Sequence, residues 1–260
     1  MRCPSCGAEN PASAKACSEC GKAFAQHNAR MESYAKSSDE IGKSDDMKQL
    51  AKALQEICTP LIKDPNERVM DQIEKLMLKG TDPKETIDSF LLHAGTLIYR
   101  LFGISEVAIA LKDPSENRFR YRLFFGMRKE SEDAYRKISY TLEQTTSTTE
   151  YPRIRLSEYV DFFPSEYRPY IEGELDTFNR PSKLEMKRKS PTEMIEGDYF
   201  CVYFYGLTKN DILGWFELAR TLNGKMPPRE TLKWLEMLAS IVGRIVHERR
   251  LSTRQTSMLR

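Results

Sequence analysis

At 260 residues the chain is long enough for one ordinary domain and a small additional module. Its 40 Lys and Arg nearly balance 38 Asp and Glu, so a net charge of +2 excludes a global field that would recruit nucleic acid or an anionic membrane. A 40% apolar fraction excludes collagen-like and wholly disordered chains, and the longest uncharged apolar run, 199–207, falls far short of the about 18 residues of a membrane span. With no apolar leader in MRCPSCG, the expectation is a cytoplasmic protein that does not enter the membrane.

The chain opens on four of its six cysteines, spaced Cys3-x2-Cys6-x10-Cys17-x2-Cys20. A disulfide scaffold would distribute cysteines through the fold it staples, whereas here only Cys58 and Cys201 serve the remainder. Each C-x2-C forms a tight knuckle with two thiolates on one ion, and Gly7 and Gly21 follow where the turn needs a permissive backbone. Four sulfurs close a tetrahedral shell suited to Zn2+ and leave no position for a catalytic water. Redox C-x-x-C chemistry and a rubredoxin-type iron site are the alternatives. The segment CPSCGAENPASAKACSECGKAF resembles the short zinc-ribbon family, and the resemblance implies one structural Zn2+ per chain on Cys3, Cys6, Cys17 and Cys20. Arg2, Lys15 and Lys22 against Glu9 and Glu19 make a weak phosphate-binding face. A protein surface is therefore the expected partner of this module, and nucleic acid the alternative.

The ribbon is assigned to 1–24 and a flexible linker to 25–46, which is polar and aperiodic. A helical segment follows over 47–80. Met47, Leu50, Leu54, Ile57 and Leu61 make a short seam, Asp64-Pro65 ends it, and Pro65 opens a second helix closed by Gly80. A third helix is expected from the Thr81-Asp82-Pro83 start to Gly103.

The period then drops to 2. Val107, Ile109 and Leu111 alternate with Ala108 and Ala110. After the KDPSEN turn, Phe119, Tyr121, Leu123 and Phe125 alternate with Arg118, Arg120 and Arg122. A helix is expected over 130–140, loop or edge strand over 141–150, a short strand near 153–156, helical pieces in YVDFFPSEYRPYI, and a solvated basic loop over 180–189. An antiparallel hairpin pairs 199–205 with 212–219, and a closing helix follows Pro227-Pro228 to about Arg250. Helices, strands and helices in blocks read as α+β with an antiparallel sheet.

Val107, Ile109, Leu111, Phe200, Val202, Phe204, Phe216 and Leu218 form an apolar face for the helices. The opposite face carries Ala108, Ala110, Arg120, Arg122, Cys201, Tyr203, Trp215 and Glu217. Small residues beside aromatics with polar tips suit a small-molecule pocket, with Arg122, Tyr203, Trp215 and Glu217 as its ligand-binding candidates. The alternative is a second aromatic core layer ringed by charge. Thiol chemistry at Cys201 is set aside, because an apolar strand disfavours the thiolate. His27, His93 and His247 show no metal spacing, and no catalytic residue is nominated.

The segments SEVAIALKD, FRYRLFFG, GWFELAR and ETLKWLEMLASIVGRIVHERR resemble a GAF domain in type and order, with the related PAS fold as nearest rival. The stretch 141–196 departs from the family pattern. The resemblance implies a GAF-like domain over 81–252, with a basic tail over 253–260. It further implies a non-enzymatic sensory, regulatory or adaptor protein, a homodimer through terminal helices, that takes a small molecule or a protein partner. A nucleic-acid-associated regulator using the ribbon and basic patches is the alternative.

Overall fold

The computed structural model describes residues 8–11, 14, 16–19, 48–50, 52–53, 64–167 and 173–258, with side chains described through residue 253. They belong to two compact units, Met1–Asp64 and Pro65–Arg260. Cys3, Cys6, Cys20, the expected linker 25–46, and Met47, Leu54, Ile57 and Leu61 of the first seam lie outside the described residues.

The larger unit begins with α1 (Pro65–Thr81) and α2 (Ile87–Leu101). Proline suits the first turn of α1, and Val69, Ile73, Leu76 and Gly80 make its buried stripe. Thr86 caps α2 by accepting from Ser89 N at 3.2 Å, so that helix starts after the Thr81-Asp82-Pro83 turn rather than on it. Then follow β1 (Val107–Asp113), β2 (Arg118–Phe125), α3 (Lys129–Lys137), β3 (Ser139–Tyr140) and α4 (Leu142–Thr146). The chain continues through β4 (Ile154–Arg155), β5 (Val160–Phe163), β6 (Tyr199–Tyr205), β7 (Ile212–Leu218) and α5 (Arg229–Met258). The strands form one seven-stranded antiparallel sheet in the order β3-β2-β1-β7-β6-β5-β4. This is the α+β architecture, an antiparallel sheet flanked by helices, that the sequence predicts.

Every residue of the expected apolar face joins one core with α1, α2 and α5. Phe204 and Phe216 are fully buried with ring centroids 5.3 Å apart, and each such burial contributes about 1.5–3 kcal/mol. Glycine sets how closely α5 approaches the sheet. A Cβ on Gly243 would lie 2.2 Å from Tyr205 O and 2.9 Å from Tyr205 N, both backbone atoms that cannot yield. Gly243→Ala gains about 1 kcal/mol of helix propensity but overpacks by up to about 3 kcal/mol, so a net loss of about 2 kcal/mol is expected. Gly80→Ala makes the informative contrast. Its Cβ would meet side chains rather than backbone, Ile245 Cδ1 at 2.3 Å, Phe90 Cε2 at 3.0 Å and Ile245 Cγ1 at 3.2 Å, so a smaller loss than that of Gly243→Ala is expected. Thermal melts of both variants test this; equal losses would show that backbone rigidity does not decide the size.

Several expectations are corrected. The β1–β2 register shifts at Ile109/Ala110 and leaves Arg122 as the bulged residue. Strict alternation therefore fails in β2. Leu123 and Phe125 pack with the helices, whereas Phe119 and Tyr121 turn to the other face. The VDFF run is β5, buried on both faces, rather than a helical piece. The expected loop or edge strand over 141–150 contains α4, started by a capping box in which Thr141 Oγ1 accepts from Gln144 N and Gln144 Oε1 accepts from Thr141 N. The helix α1 packs within the larger unit, which begins at Pro65 rather than near 81. At the other end α5 runs through Met258, into the expected tail.

Candidate functional site

The second face of the sheet is closed by α3 and by the segments around Tyr151 and Glu174, and an aromatic layer fills it. Its floor is built by the β6–β7 pairing. Cys201 stands opposite Glu217, and Tyr203 opposite Trp215. The β2 bulge delivers Tyr121 beside them, with Ala110 opposite it on β1. Tyr135 comes from α3, Tyr140 from β3, and Tyr151 and Glu174 from the covering segments. Together they line a partly open cavity of about 40 Å3. Since one water needs about 10–15 Å3 by this measure, it accommodates about three water-sized groups.

The polar tips converge on two buried carboxylates. Tyr121 and Tyr135 donate to Glu217, Tyr135 Oη to Oε1 at 2.6 Å. Tyr140 and Tyr151 donate to Glu174 Oε1 at 2.9 and 3.0 Å. Burial pushes the Tyr121 hydroxyl well above its ordinary pKa, and the Glu217 carboxylate adds to the effect. Burial and Glu174 do the same for Tyr140, and burial for Tyr203. These phenols therefore keep their protons; Tyr121 and Tyr140 donate to the carboxylates, whereas Tyr203 Oη accepts from Arg153. Trp215 is 3% exposed, and its indole Nε1–H, buried in the same layer, has no hydrogen-bond partner.

An ion-pair cluster stands at the cavity's edge. Arg153 Nη1 reaches Tyr203 Oη at 3.5 Å and donates to Thr145 O at 2.7 Å. Its Nε lies 3.5 Å from Asp161 Oδ2, with both side chains buried. Asp161 also takes a two-pronged contact from the exposed Arg155 at 2.8 and 3.1 Å, which raises the Arg155 pKa.

Of the residues nominated from sequence, Tyr203, Trp215 and Glu217 line this cavity. Arg122 does not. As the bulged residue it is 40% exposed and stands 3.8 Å from Asp88 and 3.9 Å from Asp113. Cys201 lies buried in the cavity wall. Sequence reasoning missed Tyr121, Tyr135, Tyr140, Tyr151 and Glu174. Tyr121 was hidden by the bulge; the others sit in polar segments whose only signal is the density of tyrosine.

In the smaller unit Cys17 is 3% exposed, and Asn10, at 6%, organises its surroundings. Asn10 Nδ2 donates to Cys17 Sγ at 3.5 Å and to Ala8 O at 2.9 Å, while its Oδ1 accepts from Ser18 N at 2.9 Å. An N–H donor on a buried sulfur favours the thiolate, so the environment of Cys17 fits a metal ligand. Asn10 carries no signal in the C-x2-C spacing and was not nominated.

Residues 2–24 match the zinc-ribbon domain family. No curated protein matches the chain. Among solved structures, the chain is similar to the GAF domain of a protein described as a sensor histidine kinase from Pseudomonas syringae pv. tomato. That match has 9% identity and a TM-score of 0.46, covering 74% of this chain and 94% of the other. It is similar to a GAF domain/HD domain protein from Geobacter sulfurreducens, at 12% identity and TM-score 0.47, covering 67% and 98%. It is also similar to free methionine-R-sulfoxide reductase from Neisseria meningitidis, at 12% identity and TM-score 0.44, covering 73% and 95%.

Proposed function

We propose that this is a non-enzymatic regulatory protein of the cytoplasm, in which a GAF-like domain binds a small molecule in the aromatic cavity and a zinc ribbon is carried at the N-terminus. The observation that carries the reading is the cavity itself, where Tyr203, Trp215 and Glu217 of one hairpin meet Tyr121, Tyr135, Tyr140 and Tyr151 from other segments. Aromatic walls with a few convergent polar groups are the make-up of a small-molecule site. Burial also bears on catalysis: Cys201 is buried opposite the Glu217 carboxylate, a setting that disfavours a thiolate. Native mass spectrometry of the full chain against a small-molecule extract tests the reading. A bound mass is expected, removed in Cys201→Leu, which fills the cavity. Absence of any adduct would overturn it.

Cys3, Cys6, Cys17 and Cys20 would hold one structural Zn2+ per chain, tetrahedral at about 2.3 Å per sulfur. The ion orders the module and supplies no reaction step; Asn10 orients Cys17. We place the partner of the ribbon among proteins, and dimerisation at the terminal helices. Among the described residues, Met237 and Leu251 of α5 remain exposed, at 39% and 45%. No helix among the described residues is long and apolar enough to cross a membrane.

A second reading, phosphate contact in a nucleic-acid-associated regulator, draws on the groove between α1 and α2. Arg68, Lys75, Lys79 and Arg100 line it with His93, and no acidic side chain is among the described lining residues. Binding to DNA or RNA that falls steeply with salt, and weakens in Arg68→Ala with Lys75→Ala, would favour this reading. Binding indifferent to those substitutions would dismiss it.

A further inference from the structure

We propose that the groove between α1 and α2 is the docking site for an acidic amphipathic helix of a protein partner. This surface lies apart from the aromatic cavity and shares no described lining residue with it. The α1 side presents Arg68, Lys75 and Lys79, which the helical period brings onto one stripe. Arg100 and His93 answer them from α2. The turn 82–86 joins the two helices, and Lys79 Nζ stands 3.0 Å from His93 Nε2 near it.

Charge along this groove is uncompensated, unlike charge elsewhere in the larger unit. Arg120, Arg155, Arg180, Arg188 and Arg220 each sit 3.1 Å or less from a carboxylate. Among the described residues Arg68, Lys75 and Arg100 have no such partner, and all three are exposed. Glu67, Asp71 and Glu74 of α1 are not among the described lining residues. The acid that approaches is Glu85, whose Oε1 stands 3.7 Å from His93 Nε2. At about 1.5 Å per residue the stripe from Arg68 to Lys79 is about 16 Å long, or three turns. A row of carboxylates on a helix of that length complements it.

The rest of the lining favours a protein over a nucleic acid. Leu76, Leu97 and Leu101 form the floor between the cationic rims. Single-stranded nucleic acid is held by aromatic rings on which bases stack, and no Phe, Tyr or Trp is among the described lining residues. Duplex DNA takes a convex helix into its major groove, whereas this surface is concave. An aliphatic floor with basic rims matches a helix that carries leucine-like side chains on one face and carboxylates at its borders.

The probe is a fluorescein-labelled peptide of three Glu-Leu-Leu-Glu repeats, about three helical turns, titrated with the full chain and read by fluorescence anisotropy. At physiological ionic strength, where charges are screened beyond about 8 Å, saturable binding is expected. Lys75→Glu with Arg100→Glu should weaken it at least about tenfold, because each exposed pair contributes up to about fivefold and reversal turns attraction into repulsion. Where that variant fails to fold by circular dichroism, Arg68→Gln with Lys75→Gln should weaken binding at least about threefold. Lys183→Glu with Lys187→Glu changes the net charge equally on exposed residues outside the groove, and should leave the affinity within about twofold. Serine in place of the peptide's leucines should weaken binding at least about tenfold, by removing the side chains that cover the floor.

A peptide that does not bind, an equal loss in the Lys183 and Lys187 variant, or undiminished binding of the serine peptide would overturn the proposal. Tighter binding of an oligothymidylate of matched charge would assign the groove to nucleic acid instead. A wild-type dimer in sedimentation velocity that Lys75→Glu with Arg100→Glu dissociates would assign it to a second copy. Either result overturns the partner named here.

Discussion

Cys17→Ser should empty the N-terminal module of zinc and abolish its ordered structure while the unit Pro65–Arg260 melts unchanged. A module of about two dozen residues has almost no apolar core, and below about 40 residues a chain generally needs metal, disulfides or association to fold. Its stability is then metal affinity, on the order of 10–16 kcal/mol for structural zinc sites near neutral pH. Serine retains a weak oxygen donor but removes one of four thiolates, and the closed shell opens to water. Elemental analysis should give one zinc per wild-type chain and almost none in the variant after dialysis against a chelator. Asn10→Ala provides the graded control. It removes the N–H donated to Cys17 Sγ and should weaken zinc binding by roughly 10–100-fold without eliminating it. A wild-type chain without zinc, or a module still ordered under chelation, would dismiss the site.

Asp161→Ala should cost the larger unit about 3–5 kcal/mol, the cost of stranding one member of a buried ion pair. Asp161 is 1% exposed and the Arg153 side chain 7%, so alanine leaves a guanidinium confined away from water. The bonds from Arg153 to Thr145 O and Thr146 O persist, but carbonyl oxygens do not balance a full charge. Arg155→Ala isolates the other half of the cluster. Arg155 is 61% exposed, water replaces much of its pairing, and a loss of no more than about 1 kcal/mol is expected. Adding Arg153→Met to Asp161→Ala removes the stranded charge and should restore part of the stability. Urea denaturation of the three variants decides the matter. A small loss in Asp161→Ala, or no recovery in the double variant, would show that Arg153 finds water and that the pair is not buried in effect.

How much of this was legible in sequence differs by element. The face of Val107, Ile109, Leu111, Val202, Phe204, Phe216 and Leu218 was readable because period-2 alternation persists wherever strands pair without interruption. In β2 the same rule broke at Arg122. One bulged residue reverses the face of what precedes it, and no local pattern announces which residue bulges. The capping box of α4 was available in the order Thr141-Leu-Glu-Gln144, but five helical residues are too few to produce a periodic signal. The VDFF run is too short and too uniformly apolar to separate strand from helix by period, and its partners β4 and β6 decided it.

The amino-acid sequence by itself determined the cysteine spacing, the helix-facing core and the β6–β7 hairpin, because each depends on chemistry within a few residues or on one repeating period. It also placed Tyr203, Trp215 and Glu217 on one face, since that hairpin keeps its register over them. Only the tertiary structure decided that Arg122 leaves the site and Tyr121 enters it, and that Tyr135, Tyr140, Tyr151 and Glu174 arrive from distant segments. A cavity is a property of what several elements jointly fail to fill. The unpartnered Trp215 N–H exists only after every neighbouring acceptor among the described residues has been assigned its place.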